Sequence, residues 1–192
     1  MMRSLTSNRR LSGRLIFLSS RSWGHLITDY LFNSLKVGNA LAFDAHHLSA
    51  VTTMDLLMKV THSVIIHGFE FADALDFCIK ECTTLGRHTA VLHFADKITK
   101  YSWAHRDYQP WGHALPLQCP QCGILKPWVQ VYVPQVPAYW MECRNESCGI
   151  RDGKRKGEKF SLQISRPSNS VMLSVGKQHG GSASGWLKVV IS

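Results

Sequence analysis

The chain has 192 residues, 45% of them hydrophobic, which suits one globular domain with a small appended module. No apolar run approaches the ~18 residues of a membrane-crossing helix, so no membrane partner is expected. The formal net charge of +9 at pH 7 permits contact with nucleic acid or anionic surfaces but says nothing about the fold.

Residues 1–13 form a basic N-terminal lead, and Met1 to Trp23 is rich in Arg and Ser and free of acids. The preferred reading is a basic approach to a strand. The alternative, a mitochondrial transit segment, has the same composition. Leu15 to Leu18 is a short apolar run, read as a buried strand. Residues 25–36 carry Ile27, Leu31 and Leu35 at helical spacing, and Gly38 follows as a stop. Asn39 to Phe43 reads as a second strand. Over residues 50–67, Met54, Leu57, Met58, Thr61, Val64 and Ile65 share one helical face, with Ser49 as N-cap and Gly68 beyond the end. Residues 71–85 predict another helix, closed by Gly86, with Ala72, Leu75, Cys78, Ile79 and Cys82 inward. Thr89 to Ala95 is a third strand.

Strand and helix therefore alternate over residues 14–100. That predicts an α/β segment, a partial parallel sheet with covering helices. Residues 101–116, aromatic and broken by proline, read as an ordered linker. Residues 167–192 read as a mobile Ser/Gly-rich tail in which Trp186 to Ile191 adds at most an edge strand.

Between linker and tail lies the strongest motif. Cys119 and Cys122 stand in C-P-Q-C-G, and Cys143 and Cys148 in C-R-N-E-S-C-G. Thiolates at such spacing converge on one ion from one turn of backbone, and two turns complete a tetrahedral four-sulfur shell. Gly123 and Gly149 accept the positive φ that a metal knuckle needs. Trp128 to Val133, Ala138 to Glu142 and Phe160 to Ile164 alternate as three short strands. Residues 117–166 thus predict a small all-β zinc ribbon holding one structural Zn2+ on Cys119, Cys122, Cys143 and Cys148. Four thiolates leave no position for water, and so small a sheet needs the metal to fold.

Other groups are weaker. Arg151, Lys154, Arg155 and Lys156 are candidate nucleic-acid contacts. A solvated hairpin around Asp152 and Gly153 is the preferred reading of the same turn. His46, His47, His62, His67, His93, His105 and His113 are read as ordinary surface or interface histidines. Cys78 and Cys82, four apart on an apolar helix face, are read as core rather than a redox pair. Metal-type cysteine spacing without a secretory signal argues for an intracellular site, cytoplasm or nucleus.

Asn39-Ala-Leu-Ala-Phe43, Met54-Asp-Leu-Leu through His67-Gly68 and Phe71-Ala-Asp-Ala-Leu75 together resemble the C-terminal half of caspase-like peptidases of the CHAT type. With Leu85-Gly-Arg-His88, Pro110-Trp-Gly-His113 and the Cys-Pro-Gln-Cys-Gly knuckle, the chain resembles proteins of mushroom-forming fungi that join such a domain to a zinc ribbon. The resemblance implies a nucleophilic cysteine after the first strand, yet residues 15–24 contain none. The strand carrying the catalytic histidine would precede residue 1. A thiolate mechanism needs both partners, so the expectation is a truncated, non-catalytic relative that binds a protein partner. A nucleic-acid-binding zinc protein and a degenerate or split cysteine peptidase are the alternatives.

Overall fold

The computed structural model describes residues 17–19, 38–45, 49–131, 138–151, 154–155, 157–174 and 184–191. The expected helix over 25–36 lies outside them. A six-stranded sheet runs in the order β1-β2-β3-β4-β11-β10. Its members are β1 (Phe17–Ser19), β2 (Ala40–Asp44), β3 (Ala90–Phe94), β4 (Ile98–His105), β10 (Ser170–Ser174) and β11 (Ser184–Val190). Only β1 and β2 pair in parallel; every other pairing in this sheet is antiparallel. The parallel sheet expected from strand–helix alternation is therefore corrected to a mixed, mostly antiparallel one. The physical reason is the link from β3 to β4, Ala95 to Lys97, closed by the Ala95 amide on the Lys97 carbonyl at 3.3 Å. Three residues can turn a chain back on itself but cannot carry a parallel crossover.

Two further expectations change. Residues 101–105 are no linker, because Tyr101 and Trp103 lie in β4 and are buried. Trp186 to Val190 is no edge addition either: β11 sits between β4 and β10, with seven residues in register with β4.

Helix α1 (Ala50–Ile65) begins at Ser49, whose side chain makes no capping bond. Instead the Thr52 and Thr53 hydroxyls donate to the Ser49 carbonyl at 3.1 and 2.8 Å. It ends where the Phe69 amide reaches back to the Ser63 carbonyl across Gly68. Val64 and Ile65 continue the helix as expected. The buried face is not the expected one. Thr53, Leu56, Val60 and Ser63 point inward, while Met54, Met58 and Ile65 face solvent. The predicted helix over 71–85 is two pieces, α2 (Phe71–Ile79) and α3 (Thr83–Gly86), with Cys82 in a non-helical conformation between them. Ala74 rather than Ala72 joins Leu75, Cys78 and Ile79 inside.

These helices cover one face of the large sheet. Leu41, Phe43, Val91, Tyr101, Trp103 and Trp186 meet Leu56, Val60, Leu75, Ile79 and Leu85 in one core. Cys78 and Cys82 are buried there, as expected. Each finds a polar neighbour: Ser63 Oγ lies 3.5 Å from Cys78 Sγ, and Cys82 Sγ donates to Asp55 at 3.4 Å. None of the helices described is long and apolar enough to cross a membrane.

Residues between β4 and β10 build a second sheet, ordered β5 (Trp128–Val131), β6 (Ala138–Cys143) and β9 (Ser161–Ser165), all antiparallel. Two residues from each of β7 (Ile150–Arg151) and β8 (Lys154–Arg155) pair antiparallel as a separate two-stranded sheet. The six-stranded and three-stranded sheets meet through a 3-10 turn at Pro110–Gly112. There the Trp111 ring stacks on Tyr139 of β6 at 5.1 Å and takes the Arg166 guanidinium at 5.3 Å.

Candidate metal centre

Backbone geometry brings the cysteines together. Around Cys119 and Cys122 the chain makes a narrow hairpin, with the Lys126 amide on the Leu117 carbonyl at 2.8 Å and the Cys119 amide on the Ile124 carbonyl at 3.0 Å. The Gly123 amide closes the knuckle on the Cys119 carbonyl at 2.8 Å. Cys143 ends β6, its amide bonded to the Phe160 carbonyl at 3.0 Å. Cys148 follows a turn set by Asn145, which accepts the Ser147 amide on its side chain at 3.1 Å and the Cys148 amide on its carbonyl at 3.0 Å.

Both glycines have positive φ, +71° at Gly123 and +85° at Gly149. A Cβ at Gly149 would also stand 2.7 Å from the Gly157 carbonyl oxygen. Only glycine meets both conditions there.

All four Sγ atoms lie within 4.8 Å of one another. Cys119 Sγ and Cys148 Sγ are 3.8 Å apart, Cys122 Sγ and Cys143 Sγ 3.7 Å. A disulfide would need about 2.05 Å, and all six cysteines of the chain are free thiols. A zinc ion with sulfurs at about 2.3 Å forms a tetrahedron with edges of about 3.8 Å. Two of the sulfur separations already have that length, so the donor set fits such an ion.

Cys119, Cys143 and Cys148 are buried and Cys122 half-exposed. Phe160, Ile124 and Cys122 pack against the three buried sulfurs. The backbone of Ile124 and the side chain of Asn145 hydrogen-bond the Cys122 sulfur and pull its pKa down to about 6. Burial pushes the Cys143 thiol up to about 12, opposed by a bond from the Asn145 backbone. Burial likewise raises Cys148, opposed by the Phe160 backbone. A cation in the cluster would replace those protons and remove the cost of the buried thiolates.

Asn145, Ile124 and Phe160 are the supporting residues that cysteine spacing alone does not disclose. The one hint is the turn-forming Asn ahead of Ser147 and Gly149.

Among the described residues this is the one cluster with metal-ligand geometry, and no histidine belongs to it. His105 instead stacks on Tyr108 at 4.7 Å and accepts the Asp107 amide on Nδ1 at 3.1 Å. His93 is buried against Phe71. Of the candidate nucleic-acid contacts, Arg151 pairs in register with Lys154, and Arg155 with Ile150, across the β7–β8 hairpin. Lys156 lies outside the described residues.

Fold and site together define a mixed protein of helices and mostly antiparallel sheets carrying a four-cysteine cluster able to hold a metal ion. No protein-family model, curated protein or solved structure matches the chain.

Proposed function

We propose that the chain binds one zinc ion through Cys119, Cys122, Cys143 and Cys148, and that the ion is structural. The observation that carries this reading is the sulfur geometry, two opposing pairs at 3.7 and 3.8 Å with three of the four sulfurs buried. A four-thiolate shell has no open coordination position for a substrate or an activated water. The chain then serves as a non-catalytic interaction module, with a protein as its partner. This reading draws no chemistry from the peptidase resemblance, since most of the large sheet is antiparallel and residues 15–24 contain no cysteine.

Metal analysis of the purified chain tests it. One equivalent of zinc is expected, lost in Cys143→Ser. Less than about half an equivalent, unchanged by Cys119→Ser, would sink the proposal.

A further inference from the structure

Helix α1 is apolar on two opposite sides. One side carries Leu56 and Val60 into the core. The other presents Val51, Met54, Met58 and Ile65, exposed by 81, 52, 63 and 71%. Their spacing of three, four and seven residues puts them in one stripe, at the a and d positions of a heptad whose remaining d position is Thr61. The stripe continues beyond the helix. His62 meets His67 edge to face at 4.9 Å, and His67 meets Phe69, itself 52% exposed, at 6.0 Å. A helix that is apolar on both sides is ordinarily covered on both.

We infer that this stripe is the contact between two copies of the chain, paired antiparallel about a two-fold axis. Three observations select a second copy. The stripe is self-complementary when the axis passes level with the middle of the helix, between Met58 and Thr61. Met58 then faces the partner's Thr61, and Met54 the partner's Ile65. Val51 faces the end of the partner helix that carries Phe69 of the partner subunit.

In the same register Asp55, exposed beside the stripe, stands opposite the partner's His62, so a carboxylate meets an imidazole N–H donor rather than a second acid. Asp55 already holds Lys59 at 2.9 Å on its own helix, which keeps it ionised at the rim.

Area is sufficient as well. Side chains of this size expose roughly 150–200 Å2 each when free. The five named here therefore leave roughly 550 Å2 in solvent, and two copies hold about 1,100 Å2 for burial, which reaches the ~1,000 Å2 a specific interface needs when the whole stripe is covered. The inference uses no feature of the metal centre and stands or falls apart from it.

Sedimentation equilibrium of the full chain tests it. A species of twice the 21.6 kDa chain mass is expected at micromolar concentration. Met58→Glu should weaken the association by about 100-fold, because the two-fold buries two unpaired carboxylates in one contact. The variant should keep the wild-type circular dichroism and metal content, since Met58 faces solvent in the single chain. Val171→Glu, exposed on the far edge strand β10, should leave the association unchanged. In a Met54→Cys, Ile65→Cys double variant the two thiols sit about 16 Å apart on one helix. With added diamide as the two-electron oxidant they should form a disulfide between chains, as seen by peptide mapping. A wild-type chain that stays monomeric at ~100 µM, or a dimer indifferent to Met58→Glu, would overturn the inference.

Discussion

Trp103 of β4 and Trp186 of β11 meet edge to face, ring centroids 5.8 Å apart and planes at 88°. They are in direct register across the antiparallel pair. The short helix α3 lies against both rings at Gly86. A Cβ built there would stand 2.6 Å from Trp103 Cε3 and 2.9 Å from Trp186 Cζ2. Neither ring can bend away, and both belong to the buried core. Gly86→Ala is therefore expected to destabilise the fold by about 1–3 kcal/mol through overpacking. Gly38→Ala, with no atom within 4 Å of the added methyl, should be close to neutral. Urea denaturation of the two variants, followed by tryptophan fluorescence, makes the comparison.

The same sheet brackets the metal-binding segment, between β4 and β10. The chain leaves the large sheet after His105, builds β5 to β9, and re-enters at Ser170. If the cysteine cluster loses its ion and the small sheet opens, the loop between β4 and β10 becomes long and flexible. Closing it then costs about 1 kcal/mol more. The stacking of Trp111 on Tyr139 would be lost as well. Chelation is expected to abolish amide-exchange protection in β5, β6 and β9 while the Trp103–Trp186 near-UV signal persists. The large sheet should then melt several degrees lower. A chelated protein with unchanged melting temperature would show the two sheets to be energetically separate.

The cysteine cluster was legible in the sequence because its geometry is local: each pair is brought round by one turn with glycine beyond its second cysteine. The sheet order was not, because it depends on partners far apart in the chain. Tyr101 and Trp103 alternate with Lys100 and Ser102, a pattern that serves equally for a linker or a strand until β11 arrives to cover it. Helix α1 misleads for a different reason. Periodicity identifies an apolar stripe, and α1 has two. The buried one contains Thr53 and Ser63, tolerated because the Thr53 hydroxyl bonds the Ser49 carbonyl and the Ser63 hydroxyl lies against the Cys78 sulfur.

Asp76 fastens α2 to the sheet. Its two carboxylate oxygens take different donors, Tyr101 Oη at 2.7 Å and Lys188 Nζ at 2.6 Å, and the Lys188 ammonium lies 5.8 Å from the Tyr101 ring centroid. The ion pair is about one-quarter exposed, which limits its net worth. The Tyr101 residue is fully buried. Burial first, and then the carboxylate, hold the Tyr101 phenol well above its ordinary pKa. Asp76→Ala strands both donors and should cost about 2–3 kcal/mol. Asp76→Asn keeps an acceptor for Tyr101 and should cost less. A double-mutant cycle with Lys188→Met separates the ion-pair share, expected near 1 kcal/mol. A cycle returning no coupling would mean that Asp76 acts through Tyr101 alone.

His93 is expected to make the fold sensitive to mild acid. Its ring is buried against Phe71 at 5.1 Å, and Nε2 lies 2.9 Å from Asn39 Oδ1, so the neutral tautomer with the proton on Nε2 donates there. Burial, helped by the nearby Lys188 ammonium, lowers its pKa from 6.5 to about 4. The sign follows from proton counting. Between pH 6.5 and about 4 the unfolded chain binds a proton on this residue that the folded chain refuses, so stability rises with pH across that window. The contribution is fully present above pH 6.5, declines as the pH falls, and is gone below about 4. From pH 6.5 to 5 the loss should be roughly 2 kcal/mol, at 1.36 kcal/mol per pH unit. Protonation of the metal thiolates would add an acid-sensitive background of its own. The informative quantity is therefore the difference between wild type and His93→Gln, each carrying the intact cysteine cluster. Urea denaturation at pH 7.5, 6.5, 5.5 and 5.0 should show the wild type losing stability faster than His93→Gln below pH 6.5. Parallel curves for the two proteins would remove His93 as the cause.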